Sequence, residues 1–152
     1  MDDKIKWCKE KGMKLIDSNN NLAEEYYQNA EETLRVMNKI KDTGSNMWLA
    51  TQKYYTEYFA AYSLLMKIGI KSEIHSCTIE VIKLLESEKI INFNFSCRLE
   101  EDKELRIDNQ YYLKNRPVNI ESKSLSDLLL NIRNLLDNIT KGQINQIREK
   151  IK

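Results

Sequence analysis

The chain has 152 residues, 41% of them apolar, and sets 24 Lys and Arg against 23 Asp and Glu. That length suits one domain around one core, and the balanced charge excludes a global field drawing the protein onto nucleic acid or an anionic membrane. Only four Gly and one Pro are present, which favours long helices over a fold rich in strands and turns.

Residues 1–7 lack the apolar stretch of a signal peptide, and no apolar run approaches the ~20 residues that cross a bilayer. The expectation is a cytoplasmic protein without membrane attachment. Cys8, Cys77 and Cys97 are odd in number and widely separated, which suggests reduced, buried side chains and no zinc site.

A first helix is expected over about residues 3–16, striped by Ile5, Cys8, Leu15 and Ile16. Asp17, Ser18, Asn19, Asn20 and Asn21 then offer several caps for a second, in which Leu22, Tyr26, Tyr27, Ala30, Leu34, Met37 and Ile40 recur at helical spacing until Gly44. Ser45 is placed to cap a third helix whose broad inward face carries Trp48, Tyr55, Tyr58, Phe59, Tyr62, Leu65 and Met66. Ser72 is a candidate cap for a fourth, facing inward with Ile74, Cys77, Val81, Leu84 and Leu85. The alternation in Ile90–Phe95 has no sheet to join and reads as an extended connection. A charged helix over about 96–114 stops before Pro117; Ser124 with Asp127 suggests the start of a leucine-striped helix, and Thr140 with Gln143 the start of a short last one. Its residues Ile144, Ile147 and Ile151 should dock on the rest. The sum is a single domain over 1–152: an all-α, up-and-down bundle of five to seven helices around a four-helix core.

Chemistry is sparse. There is no glycine-rich phosphate loop and no His/Cys/carboxylate cluster with metal-ligand spacing, so neither a metal nor a cofactor is expected. His75 is the sole histidine, and any imidazole general base must be this residue. It falls in the first turn of the fourth helix, where free N–H groups and Lys71 favour phosphate, although a packing role fits it as well. Tyr54, Tyr55, Tyr58, Phe59 and Tyr62 form an aromatic stripe suited to base stacking, or to a core or oligomer interface. Arg106, Asp108, Tyr111 and Tyr112 make a polar ridge able to receive a phosphate ester, or a solvated face.

Three segments, Leu22–Ala30, Tyr54–Leu65 and Gly69–Ile70 followed by His75, together resemble the HEPN domain of prokaryotes over roughly residues 20–88, with an echo at Arg106–Tyr112. The resemblance implies a helical bundle, often dimeric and frequently encoded beside a minimal nucleotidyltransferase in toxin–antitoxin pairs. Many HEPN proteins resemble metal-independent RNases that use an Arg followed, after four to six residues, by a His. Here Tyr111 and Tyr112 stand where that His would be, and a phenol with a pKa near about 10 is a poor base. By the same resemblance, the tyrosine modified by a partner nucleotidyltransferase corresponds to Tyr111 or Tyr112.

The leading expectation is a HEPN-like bundle binding a nucleotide or RNA through Arg106, Asp108, Tyr111, Tyr112, Lys71, His75, Tyr55 and Tyr58. It would act as a homodimer with a nucleotidyltransferase partner. Two alternatives stand beside it. One is a metal-independent RNase with Arg106 and His75 as its candidate catalytic residues, and the other is a structural dimerisation module.

Overall fold

The computed structural model describes residues 2–152 and is an all-α bundle. Its helices are α1 (Asp3–Glu10), α2 (Asn20–Ile40), α3 (Asn46–Ile68), α4 (His75–Ser87), α5 (Ser96–Gln110), α6 (Ser122–Asn138) and α7 (Lys141–Ile151). Two-residue strands β1 (Lys14–Leu15) and β2 (Ile70–Lys71) pair antiparallel, with Leu15 opposite Ile70. Among the described residues no helix is long and apolar enough to cross a membrane.

The caps explain most boundaries. The Asn19 side chain accepts from Leu22 N, Ser45 accepts from Trp48 N, and Thr140 forms a reciprocal capping box with Gln143, each satisfying helix-start donors that would otherwise be unpaired. Gly69 ends α3 in the left-handed region at φ 90°, and the chain must pass close there. A Cβ at this position would lie 2.4 Å from both Ile16 O and Arg148 Nη1.

Several expectations need correction. The first helix ends at Glu10, because Gly12 at φ 110° redirects the chain into β1. Ser72 does not cap α4: its hydroxyl donates to Ile74 O, while its N–H donates to the Tyr62 hydroxyl. α6 starts at Ser122, ahead of Ser124, and has no side-chain cap. Finally, Cys8 and Cys77 are not reduced but joined in a disulfide that ties α1 to α4, and Cys97 is exposed rather than buried.

α3 is the central element. Tyr54, Ala60, Ala61, Leu64, Leu65 and Ile68 are wholly enclosed, and α2, α5 and α6 all pack against this helix. Small residues Ala60 and Ala61 let neighbouring backbones approach. Trp48, expected on the inward face, instead sits at the first turn of α3 and is 52% exposed. α2 and α6 are fastened by the Tyr27 hydroxyl, which donates to Leu129 O, and by the Arg133 guanidinium, which spans both oxygens of Glu24. Ile147 and Ile151 of α7 are buried, as their spacing led one to expect.

α5 decides where the site lies. Its inward residues Ser96, Leu99, Asp102, Arg106 and Asn109 recur every three or four positions and are mostly polar. A bundle helix that turns such a face onto an aromatic neighbour needs a specific partner for each polar group.

Candidate functional site

Three helices bring the site together. α3 supplies Tyr54, Tyr55 and Tyr58 on successive positions of one face, α4 supplies His75 at its first residue, and α5 supplies Arg106. The His75 ring stacks on Tyr58 with centroids 4.0 Å apart and planes 26° apart, and Nδ1 lies 2.9 Å from the Tyr54 hydroxyl. The Arg106 guanidinium carbon sits 5.1 Å above the Tyr54 ring and 5.5 Å from that of Tyr55, within cation–π range. Arg106 and His75, thirty-one positions apart in sequence, therefore share one aromatic floor.

The protonation states follow from burial. Burial first, then the nearby charges of Arg106 and Lys103, lowers the His75 pKa to about 4, so the imidazole is neutral at pH 7. Burial pushes the Tyr54 phenol far up and that of Tyr58 to about 12, so both keep their protons. Tyr54 has no other hydrogen-bond partner among the described residues, so its O–H donates to Nδ1. That donation fixes the tautomer with the proton on Nε2, which becomes a donor without a protein acceptor. The Tyr58 hydroxyl is paired with Thr78 Oγ1 at 3.1 Å.

Arg106 is 8% exposed, yet no carboxylate reaches it among the described residues. Nη1 donates to Gln110 Oε1 at 3.1 Å, and Nε, fully enclosed, donates to nothing. A buried guanidinium ordinarily faces an anion, and its desolvation is otherwise left uncompensated. Tyr111, whose ring lies 5.8 Å from the guanidinium, is 64% exposed and sits just past the end of α5. The following loop, with Leu113 and Asn115 at positive φ, is held by Asn109, which accepts from Arg116 N and donates to Arg116 O.

Other expected site residues lie apart from this cluster. Asp108 is held by Lys114 at 3.3 Å and Arg116 at 2.7 Å, and Lys71 faces Glu73 at 3.7 Å beside the strand pair. Tyr112 lines a separate groove between α4 and α5. Sequence reasoning missed Lys103, one turn before Arg106 on α5, although its spacing was readable. It also missed Glu57 and Asp102, which bury carboxyl groups on the α3–α5 seam. The signal for Glu57 was a carboxylate at core period between Tyr54 and Tyr58. Among the described residues, no group of three His, Cys, Asp or Glu side chains is arranged to hold a metal. In comparisons with known proteins, no family model, curated protein or solved structure matches the chain.

Proposed function

We propose that Arg106, His75 and the tyrosines of α3 form a receptor for the phosphate of a nucleotide or RNA. The observation that carries this reading is the buried Arg106 guanidinium, with an unpartnered Nε and no carboxylate beside it. A phosphate oxygen accepts at the exposed edge of this uncompensated guanidinium, and the Nε2 proton of neutral His75 supplies a further donor. The exposed Tyr111 ring is a stacking surface for the attached base. The HEPN resemblance of residues 20–88 agrees with a nucleotide or RNA ligand. It adds a homodimer and a minimal nucleotidyltransferase as partners, in a toxin–antitoxin-type pair within the cytoplasm.

A second reading, metal-independent RNA cleavage, is favoured by the shared floor of His75 and Arg106. An imidazole with a pKa of about 4 is a weak base and is not the imidazolium that a general acid requires at neutral pH, so binding is the preferred reading. Incubating short single-stranded RNA with the protein in EDTA while following fluorescence anisotropy separates the two. Saturable binding that is lost in Arg106→Leu, with the RNA intact, supports the receptor. RNA cut by the wild type and spared by both Arg106→Leu and His75→Ala would replace it with the nuclease. RNA neither bound nor cut would reject the nuclease and the RNA ligand, and a nucleoside 5′-monophosphate that also fails to bind would reject the receptor.

A further inference from the structure

We propose that the groove between α4 and α5, closed on one side by the first turn of α1, takes a second phosphate, so that the ligand carries two: one on Arg106 and one between Lys103 and Lys4. This rests on the Arg106 reading above. The groove has a volume of about 430 Å³, the size of a small-molecule site, and Lys4, Ser76, Lys103, Ile107 and Tyr112 line it. Ser76 directly follows His75, and Lys103 precedes Arg106 by one helical turn, so the groove adjoins the receptor without a break in either helix.

Four carboxylates, Glu80, Glu100, Glu104 and Asp108, also line the groove, and three of them are already paired. Glu80 and Glu100 are both occupied by Lys83, at 3.3 and 2.5 Å, and Asp108 by Lys114 and Arg116. Glu104 is the remaining carboxylate of the lining. Lys103, Arg106 and Lys4 make no ion pair among the described residues, although Lys4 Nζ lies 4.6 Å over the Trp7 ring. Burial, then the charges of Arg106 and Lys4, lower the Lys103 pKa, and Glu100 only partly offsets them. Ile107 and the Tyr112 ring offer an apolar wall for a nucleoside. Lys4 is held near this wall because the Cys8–Cys77 disulfide fixes α1 to α4.

The shared chemistry is a pair of neighbouring phosphates, found both in a nucleoside diphosphate and in a 5′-phosphorylated dinucleotide. Calorimetric titration of the intact protein with each of these, and with the nucleoside 5′-monophosphate, tests the assignment. Wild type is expected to bind at least one two-phosphate ligand about tenfold more tightly than the monophosphate, the effect of one added charged hydrogen bond. Which of the two is preferred reports the spacing of the phosphates. Lys103→Met should erase the preference and leave monophosphate affinity within about twofold, and Lys4→Met should reduce it in the same sense. Monophosphate binding with no two-phosphate preference, or a preference that survives Lys103→Met, overturns this inference alone. Failure of all three ligands to bind wild type overturns the Arg106 reading and this one with it.

Discussion

The carboxyl groups of Glu57 and Asp102 meet across the seam between α3 and α5, each with one oxygen on a cation and the other without a donor. Arg98 Nε donates to Glu57 Oε2 at 3.0 Å, and Lys53 Nζ stands 3.3 Å from Asp102 Oδ1. Glu57 Oε1 and Asp102 Oδ2 are buried and otherwise unpaired. A proton on Glu57 would supply the donor that both oxygens lack. Burial first, and then the hydrogen bond and charge of Asp102, raise the Glu57 pKa well above its ordinary value. Asp102 is one turn from Arg106, so a proton shared there would brace the helix that carries Arg106.

The neutral form of Glu57 thus stabilises the fold fully below its unfolded pKa of about 4.5, and that contribution is lost as pH rises through the raised folded value. Glu57→Gln retains a donor toward Asp102 and an acceptor for Arg98. Urea melts carried upward from about pH 4.5 should show wild type losing stability relative to this variant, whereas Glu57→Ala should cost about 3 kcal/mol at the acid end of that series. Parallel curves for wild type and Glu57→Gln would eliminate the shared proton.

His75 titrates with the opposite sign. Its folded pKa of about 4 lies below the ordinary 6.5, so the unfolded chain takes up the proton first and stability falls as pH drops from 6.5 toward 4. Partial exposure screens the effect to on the order of 2 kcal/mol. His75→Phe should flatten that limb of a thermal-stability profile; an unchanged slope would show that the ring is already charged or solvated.

The Cys8–Cys77 disulfide closes a separation of 69 residues. In the chain-entropy model such a crosslink is worth about 4 kcal/mol. Non-reducing peptide mapping should recover the linked peptides, and Cys77→Ala should lower the melting temperature by well over ten degrees. Recovery of both peptides as free thiols from native protein would contradict the pairing. Both sulfurs are buried, which shields the bond from thiol exchange even where the surroundings are reducing.

Arg148 of α7 closes the end of α3. Its Nη1 donates to the carbonyls of Ile16, Ile68 and Gly69 at 2.7, 3.1 and 2.9 Å. Arg148→Met keeps the apolar stem but removes the donors, and should cost about 2 kcal/mol in chemical denaturation. Gly69→Ala, which combines a left-handed backbone with a blocked Cβ, should cost at least as much. Wild-type stability in both variants would show that this junction does not hold α7 to the bundle.

Local chemistry made much of this architecture readable. Asn19, Ser45 and the Thr140–Gln143 pair mark helix starts because a cap acts within one turn. The start of α4 escaped because Ser72 is drawn into a tertiary bond with the Tyr62 hydroxyl. The disulfide escaped because sequence separation says nothing of proximity once α1 folds back on α4. Arg106 and His75 were each visible as candidates, but only packing on Tyr54 and Tyr58 sets them side by side. Asp108 shows the reverse: an apparent ligand group is consumed by Lys114 and Arg116, which the sequence gives no reason to prefer over solvent.

The most direct test of the receptor is the His75 ring itself. In an NMR titration with a nucleoside 5′-monophosphate, an arriving phosphate offsets the Arg106 charge and accepts from Nε2. The imidazole resonances should then shift saturably, and the pKa should climb from about 4 toward its ordinary value. Arg106→Leu should abolish the ligand-induced shift while leaving the Tyr58 stacking signature intact. Ring resonances that ignore the ligand, or that respond equally in Arg106→Leu, would contradict the account.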